Sequence, residues 1–421
     1  MSASLTLVIP TRNRAQLAIA AVDGLLAEAG DRMRLLVSDN STDEEQARAL
    51  AGFCEARSDP RLTYLRAAAA MPQPAHWDWA LEQALAREET SHFTIHYDRK
   101  VPKLGQWRFM LDEIDAHAAQ VITYPIDQVL REPPRFTVWQ IPWSGKTYEV
   151  RTARVLQMAS EGSISEMGHA FPILSNCAVP RAVIDKVRRR FGDICNSTGP
   201  DAAFTFRFCA LEDSYLHLDR PLGVVYAVHR SAGLGYWSGA KTDFEDFRRS
   251  HGDRAWLDAV PLPQLDLIWN MLFHEYEMVR REVGDRLPEL TLSAYLDGLA
   301  WGLPLVEDPA RRQAMEDVLI ANGWQRPEER EEQAPVAPTS SGGLRSRVGR
   351  VVRRHRQLVR LAAAVGAIPE PNGLTFPTEE EAVQFARTGV RRRSSENPLL
   401  EPLLEAGARR GGDTLRTRNG T

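Results

Sequence analysis

The sequence predicts an α/β fold built on a largely parallel sheet. Three observations carry that expectation: short apolar runs alternate with helical patterns, the joining loops are short, and polar clusters follow directly after the apolar runs. In such sheets ligands bind beyond the carboxyl ends of the strands. Composition agrees, with 43% hydrophobic and 26% charged residues in a chain of 421, enough for more than one domain. The net charge of -4 gives no overall field that would select nucleic acid as a partner.

Residues 5–9 are a β-rich apolar run closed by Pro10, and read as the first buried strand. A helix follows over 14–29, with Leu17, Ala21, Leu25 and Leu26 at helical spacing. Residues 34–38 form the second run, closed by Asp39-Asn40-Ser41-Thr42-Asp43, a turn signal in which Ser41 or Thr42 can cap the helix expected over 44–57. A third strand is expected at 62–65, a helix at 77–87 and a fourth strand at 93–97. Beyond it the pattern predicts a strand at 136–141 and helices at 153–161, 180–190 and from 201, then a last strand at 223–228.

The character then changes. Residues 1–240 read as one α/β domain and 241–327 as a helical accessory segment, with helical spacing over 265–279. Residues 328–343 are a Pro, Glu and Ser-rich linker. The tail, 344–421, opens with a basic helix carrying Arg345, Arg347, Arg350, Arg353, Arg354, Arg356 and Arg360, and its remainder reads as mostly disordered. That helix either lies on anionic lipid or is a solvated, partner-binding helix. The N-terminus has no signal-peptide pattern, no run is long enough to span a bilayer, and the four cysteines (Cys54, Cys177, Cys195, Cys209) fit buried reduced thiols. The expected location is therefore the cytoplasm, at the inner face of the membrane if the basic helix lies on lipid.

Three clusters carry chemistry. Pro10, Thr11, Arg12, Asn13 and Arg14 stand between a strand and a helix, where unpaired backbone donors and the helix dipole favour a phosphate. Asp39 with Ser41 follows the second strand, where a carboxylate can accept from a base or ribose. Asp98, with Arg99 and Lys100, follows the fourth. There is no Gly-rich phosphate loop and no G-x-G-x-x-G after the first strand, which disfavours a Rossmann dehydrogenase.

The stretches Leu7 to Arg14 and Leu36 to Asp43, in that order, resemble the opening of inverting glycosyltransferases of family 2, which have the GT-A fold. The stretch 71–81, with Trp77, looks like the segment before that family's metal-binding strand, and 93–98 falls where its Asp-x-Asp motif stands. The resemblance covers about residues 5–235. It implies a nucleotide-diphosphate sugar donor and a glycan or lipid-linked acceptor, in cell-surface polysaccharide synthesis. It implies nucleotide binding by Thr11, Arg12 and Asp39, with Ser41 nearby. It also implies a divalent metal (Mg or Mn) at Asp98.

Here the chain departs from the pattern, with one carboxylate and two cations in Asp98-Arg99-Lys100. A single Asp suits a hard divalent ion only when phosphate oxygens complete its shell. Weak metal use is expected, with Arg99 or Lys100 meeting the leaving group. Inversion needs a general base. The family position falls on Asp201, after Thr198-Gly199-Pro200, with Glu212 and Asp213 as fallback. His229 resembles a late His that some members bring to the metal or diphosphate. Trp139 and Trp143 either stack on an acceptor sugar or pack in the protein. The competing readings are a degenerate module that binds a nucleotide sugar without turning it over, and a related nucleotidyltransferase.

Overall fold

The computed structural model describes residues 4–28, 30–87, 90–132, 134–227, 257–306, 308–326 and 374–388. The first half is β1 (Leu5–Thr11), α1 (Ala15–Glu28), β2 (Met33–Asp39), α2 (Glu44–Arg57), β3 (Leu62–Arg66), α3 (Gln73–Leu85) and β4 (His92–Ile95). β5 (Lys100–Pro102), α4 (Trp107–Ala116), β6 (Ile122–Thr123), β7 (Ile126–Glu132), β8 (Arg135–Trp139) and β9 (Thr147–Arg151) follow. Then come α5 (Thr152–Ser160), β10 (Cys177–Pro180), α6 (Arg181–Phe191), α7 (Pro200–Leu211), β11 (Ser214–Leu218) and β12 (Gly223–Val225). The helical segment supplies α8 (Ile268–Val283), α9 (Leu292–Ala300) and α10 (Pro309–Ala321), and the tail β13 (Leu374–Phe376) and α11 (Glu379–Thr388).

The main sheet has eight strands in the order β3-β2-β1-β4-β10-β6-β11-β9. Its first four are parallel, as is the β6–β11 pair, while β10 and β9 run against their neighbours. The α/β expectation is met. All seven residues of β1 are buried, as a central strand covered on both faces requires. Val8, Leu36 and Phe93 face one core, with α3, α5, α6 and α7, and Leu7, Ile9, Leu35 and Val37 face the other, with α1, α2 and α4. Pro10 can sit in this strand because the last pair with β4 is Val8–Ile95. The Val8 carbonyl takes the His96 N–H on that side, and Pro10, two residues on, would have aimed its missing donor the same way, past the end of β4.

Several expectations are corrected. The cap of α2 is Asp43, whose carboxylate accepts from Glu45 and Gln46 N–H, and not Ser41 or Thr42. A second sheet, β13-β8-β7-β12-β5, was not foreseen, and the strand expected at 223–228 belongs to it as β12. Among the described residues of the helical segment, Phe273, Tyr276, Leu296, Leu299 and Leu319 join the same cluster as Val8 and Phe93. Its contact runs through α7, where Phe206 meets Tyr276 edge-on at 5.2 Å. Residues 374–388 of the tail dock on the second sheet, with the Glu379 carboxylate accepting from Ala227 N–H. The linker, the basic helix and His229 lie outside the described residues.

Strand direction sets what gathers at one end of the main sheet. The parallel strands bring Asp39, Thr11 and residues 96–98 there, and β11 brings Asp219. β10 runs the other way, so its start, preceded by Ser175 in the turn Leu174–Asn176, arrives at the same end.

Candidate active site at the carboxyl end of the sheet

The first loop is held by Asn13. It adopts a left-handed conformation (φ 53), which Asn tolerates better than most residues. Its Oδ1 accepts from the N–H groups of Thr42 (2.9 Å) and Asp43 (3.0 Å), and its own N–H donates to Ser41 Oγ (2.9 Å). The loops after β1 and β2 are thereby stitched together, and Arg12 is left exposed at the rim. Pro10 and Thr11 are buried beneath it.

Asp39 is fully buried. Its Oδ1 accepts from Ser41 N–H and its Oδ2 from the Tyr64 hydroxyl, both at 2.8 Å. A carboxylate oxygen accepts more than one bond, so capacity remains for a ligand. Next to it, Asn40 pairs in both directions with the Met71 backbone, and Ser38 Oγ bonds His76 Nε2 at 2.7 Å. Burial lowers the His76 imidazole to about 4, Asp39 pulls the other way and Arg12 adds to the depression, so His76 is neutral near pH 7.

Asp98 stands among cations. Its Oδ2 accepts from Thr11 Oγ1 at 2.8 Å and pairs with Arg14 Nε at 3.0 Å. Arg99 lies with its guanidinium 5.0 Å from the Tyr97 ring centroid. Burial draws Arg99 down from its ordinary value, while Tyr97, Asp98 and Asp201 oppose this and Arg14 adds to it, which places all five groups in one electrostatic neighbourhood. Among the described residues no cluster of three or more His, Cys, Asp or Glu could hold a metal. A divalent ion at Asp98 would meet one carboxylate and two guanidinium groups, a donor set that does not fit it.

Asp201 comes from 104 residues away. It lies in the first turn of α7, after the Gly199 cap and Pro200, a favoured place for both Pro and Asp. Its Oδ2 accepts from the Tyr97 hydroxyl at 2.7 Å, and that hydroxyl in turn accepts from Ser175 Oγ at 2.7 Å. Oδ1 has no hydrogen-bond partner among the described residues. Burial raises the Asp201 carboxyl above the usual range, and Tyr97, Ser175 and the Lys100 charge hold it back.

Lys100 differs from its sequence expectation. It is fully buried, and its Nζ donates to the Ser175 carbonyl (2.7 Å) and the Tyr124 hydroxyl (3.1 Å). Burial brings it down to about 7, against the pull of Asp201. Its place is behind the site, holding Ser175, rather than facing a diphosphate. The fallback residues lie elsewhere: Glu212 caps the far end of α7, paired with Lys186, roughly 16 Å of helix from Asp201, with Asp213 beside it. Trp139 lies on β8. Trp143 packs at the end of β11, where the Arg220 guanidinium sits 4.7 Å from its ring and 3.6 Å from Phe109.

The sequence placed Asn13 in the first cluster but not its role in the turn, although Asn between a strand and a helix favours the left-handed region. Tyr97, Ser175, Asp78 and Glu275 were missed and had no local signal, because their partners are 76 to 117 residues away. All four cysteines are buried and unpaired, and no helix among the described residues is long and apolar enough to cross a membrane.

No protein-family model matches the chain, and no curated protein does. Among solved structures, the chain is similar to S. aureus TarS 1–349, at 13% identity and a TM-score of 0.40, over 76% of this chain and 88% of that one. The same fragment in complex with UDP-GlcNAc aligns at 14% identity and a TM-score of 0.42, over 76% and 87%. Its complex with UDP aligns at 15% and 0.41, over 76% and 88%. At scores this low the functional reading rests on the chain's own residues.

Proposed function

We propose that the chain is an inverting, family 2-like glycosyltransferase of GT-A fold that moves a hexosyl group from a nucleotide-diphosphate sugar to a hydroxyl of a glycan or lipid-linked acceptor. The observation that carries this reading is Asp201: a buried carboxylate with a raised pKa, one oxygen fixed by Tyr97 and the other unpartnered, set beside Arg99 and the Asp98–Arg14 pair. A carboxylate oxygen with capacity left can accept a proton or a hydrogen bond from a ligand's hydroxyl. A carboxyl poised nearer neutrality is suited to general-base work.

In this reading Asp39 and the stitched loops hold the nucleoside, and Arg12, Arg14 and Arg99 meet the diphosphate. The acceptor oxygen attacks the anomeric carbon as its proton passes to Asp201 Oδ1, and the bond from that carbon to the diphosphate oxygen breaks. The electron pair leaves with the diphosphate, whose added charge the guanidinium groups stabilise. No step is assigned to a metal. The setting is the synthesis of cell-surface polysaccharide on the inner face of the membrane.

The test is a panel of UDP-, GDP-, dTDP- and CMP-sugars, read by thermal stabilisation with and without manganese and then by nucleotide release. A ligand held by the native state raises its apparent stability. One nucleotide class should stabilise the protein, with or without chelator, and Asp201→Asn should keep that shift while release falls at least ~100-fold. Stabilisation without turnover in the wild type would instead identify a degenerate binding module. Near-normal release by Asp201→Asn would move the base elsewhere.

A further inference from the structure

The loop that leads into α7 is held by three carboxylates. Asp78 of α3 accepts from the N–H groups of Ile194 (2.8 Å) and Cys195 (2.9 Å). Asp193 pairs with Arg207. The third, Glu275, comes from α8 of the helical segment. Its Oε2 accepts from Ser197 Oγ and its Oε1 from Gly199 N–H, both at 2.6 Å, and it is 1% exposed.

Gly199 is the residue on which α7 starts: its carbonyl accepts the Ala203 N–H at 2.8 Å. Asp201 stands two residues beyond. Met271, also of α8, stands close by: a Cβ on Gly199 would lie 3.0 Å from its Sδ and would need that side chain to give. The start of α7 is therefore held from α8 by one pair of hydrogen bonds, with Met271 crowding the same residue. Asp201 is fixed to the first turn of α7, so a rotation of that turn carries its carboxylate away from the Tyr97 hydroxyl.

We infer that Glu275 is a positioning residue: through Ser197 and Gly199 it sets where α7 begins and so where the Asp201 carboxylate points. This rests on Asp201 serving as the general base. The role gives the helical segment a part in the reaction without touching substrate. The same loop could be packed by apolar side chains at lower cost, because a buried carboxylate must be desolvated. What an apolar side chain cannot supply is a fixed acceptor for the unpaired N–H at a helix start.

The experiment compares full-length wild type, Asp201→Asn, Glu275→Ala, Glu275→Gln and Gly199→Ala. Nucleotide release from UDP-GlcNAc, UDP-glucose, GDP-mannose and dTDP-glucose is followed with water as acceptor, and rates are normalised to folded protein. Glu275→Ala should lower kcat by about tenfold or more with donor KM changed less than about twofold, because misplacing a base costs turnover and not ground-state binding. Glu275→Gln should restore kcat to within about threefold, since its amide oxygen accepts from Gly199 N–H and its amide nitrogen donates to Ser197 Oγ. Gly199→Ala, crowding Met271 of the same helix, should also lower kcat; it carries the test if Glu275→Ala does not fold.

Wild-type kcat in Glu275→Ala or, where that variant does not fold, in Gly199→Ala, alongside an inactive Asp201→Asn, would overturn the positioning role alone. Active Asp201→Asn, or a wild type that releases nucleotide from none of the donors, would overturn the base assignment and this inference with it.

Discussion

Glu275→Gln should make the protein more stable at alkaline pH, and the size of the gain follows from burial. Desolvation raises the Glu275 carboxyl from 4.5 to about 7, against the opposing effects of Ser197, Gly199 and Arg207, while Asp193 adds to the rise. Between those two values the folded chain keeps a proton that the unfolded chain has lost. Wild-type stability therefore falls as pH rises from about 4.5 through about 7, and the loss is complete above that. At 1.36 kcal/mol per unit, the difference amounts to on the order of 3 kcal/mol. Glutamine does not titrate and keeps both hydrogen bonds. The stability difference, Gln minus wild type, should grow by that amount between pH about 4.5 and about 8. Urea unfolding followed by tryptophan fluorescence across this range, with slopes compared to confirm that both chains expose the same surface, measures it directly. A difference that stays constant with pH, or that shrinks as pH rises, would refute the placement of an ionisable carboxylate in this interior.

Two further outcomes follow from other pairs. Asp127→Ala removes the partner of the buried Lys103, 2.5 Å away, and the acceptor for Ile141 N–H, so it should cost about 3–5 kcal/mol. A urea midpoint near that of the wild type would show that this pair is not closed to solvent. Tyr97→Phe removes the hydroxyl that lowers the Asp201 carboxyl and leaves burial less opposed. The acid limb of the kcat profile should then move to higher pH, since the lost hydrogen bond favoured the charged form. A limb that stays in place would separate Asp201 from the titrating group.

The first four strands and their helices were legible because each carries its own pattern. In β1, β2 and β4 an apolar run buried on both faces needs no knowledge of the rest of the chain, while β3, half-buried at the edge, shows itself by its place between two helical spacings. The middle was harder. β12 is only three residues long, and nothing local says that Gly223–Val225 pairs with Ile126 and Lys100 in a separate sheet rather than extending the main one. The helical segment was legible as helices but not as part of the common core, since α8 shows an apolar stripe whether it faces its own partners or α7. In the site, Thr11, Arg14, Asp39 and Asp98 announce themselves by following strands. Lys100 follows one too, and only its contacts show that its ammonium turns inward to the Ser175 carbonyl.

The sequence by itself determined that this protein builds an α/β sheet with polar residues at its carboxyl end, because strand and helix periodicities and turn residues are local properties of the chain. Only the tertiary structure decided which of those residues meet. Whether Asp98 faces a metal or an arginine, whether Asp201 sits at a surface helix end or against Tyr97, and whether Glu275 is a solvated charge or a clamp on Gly199 depend on groups 76 to 104 residues apart. Their state is set by burial and by the partner that packing supplies, and no local pattern carries either.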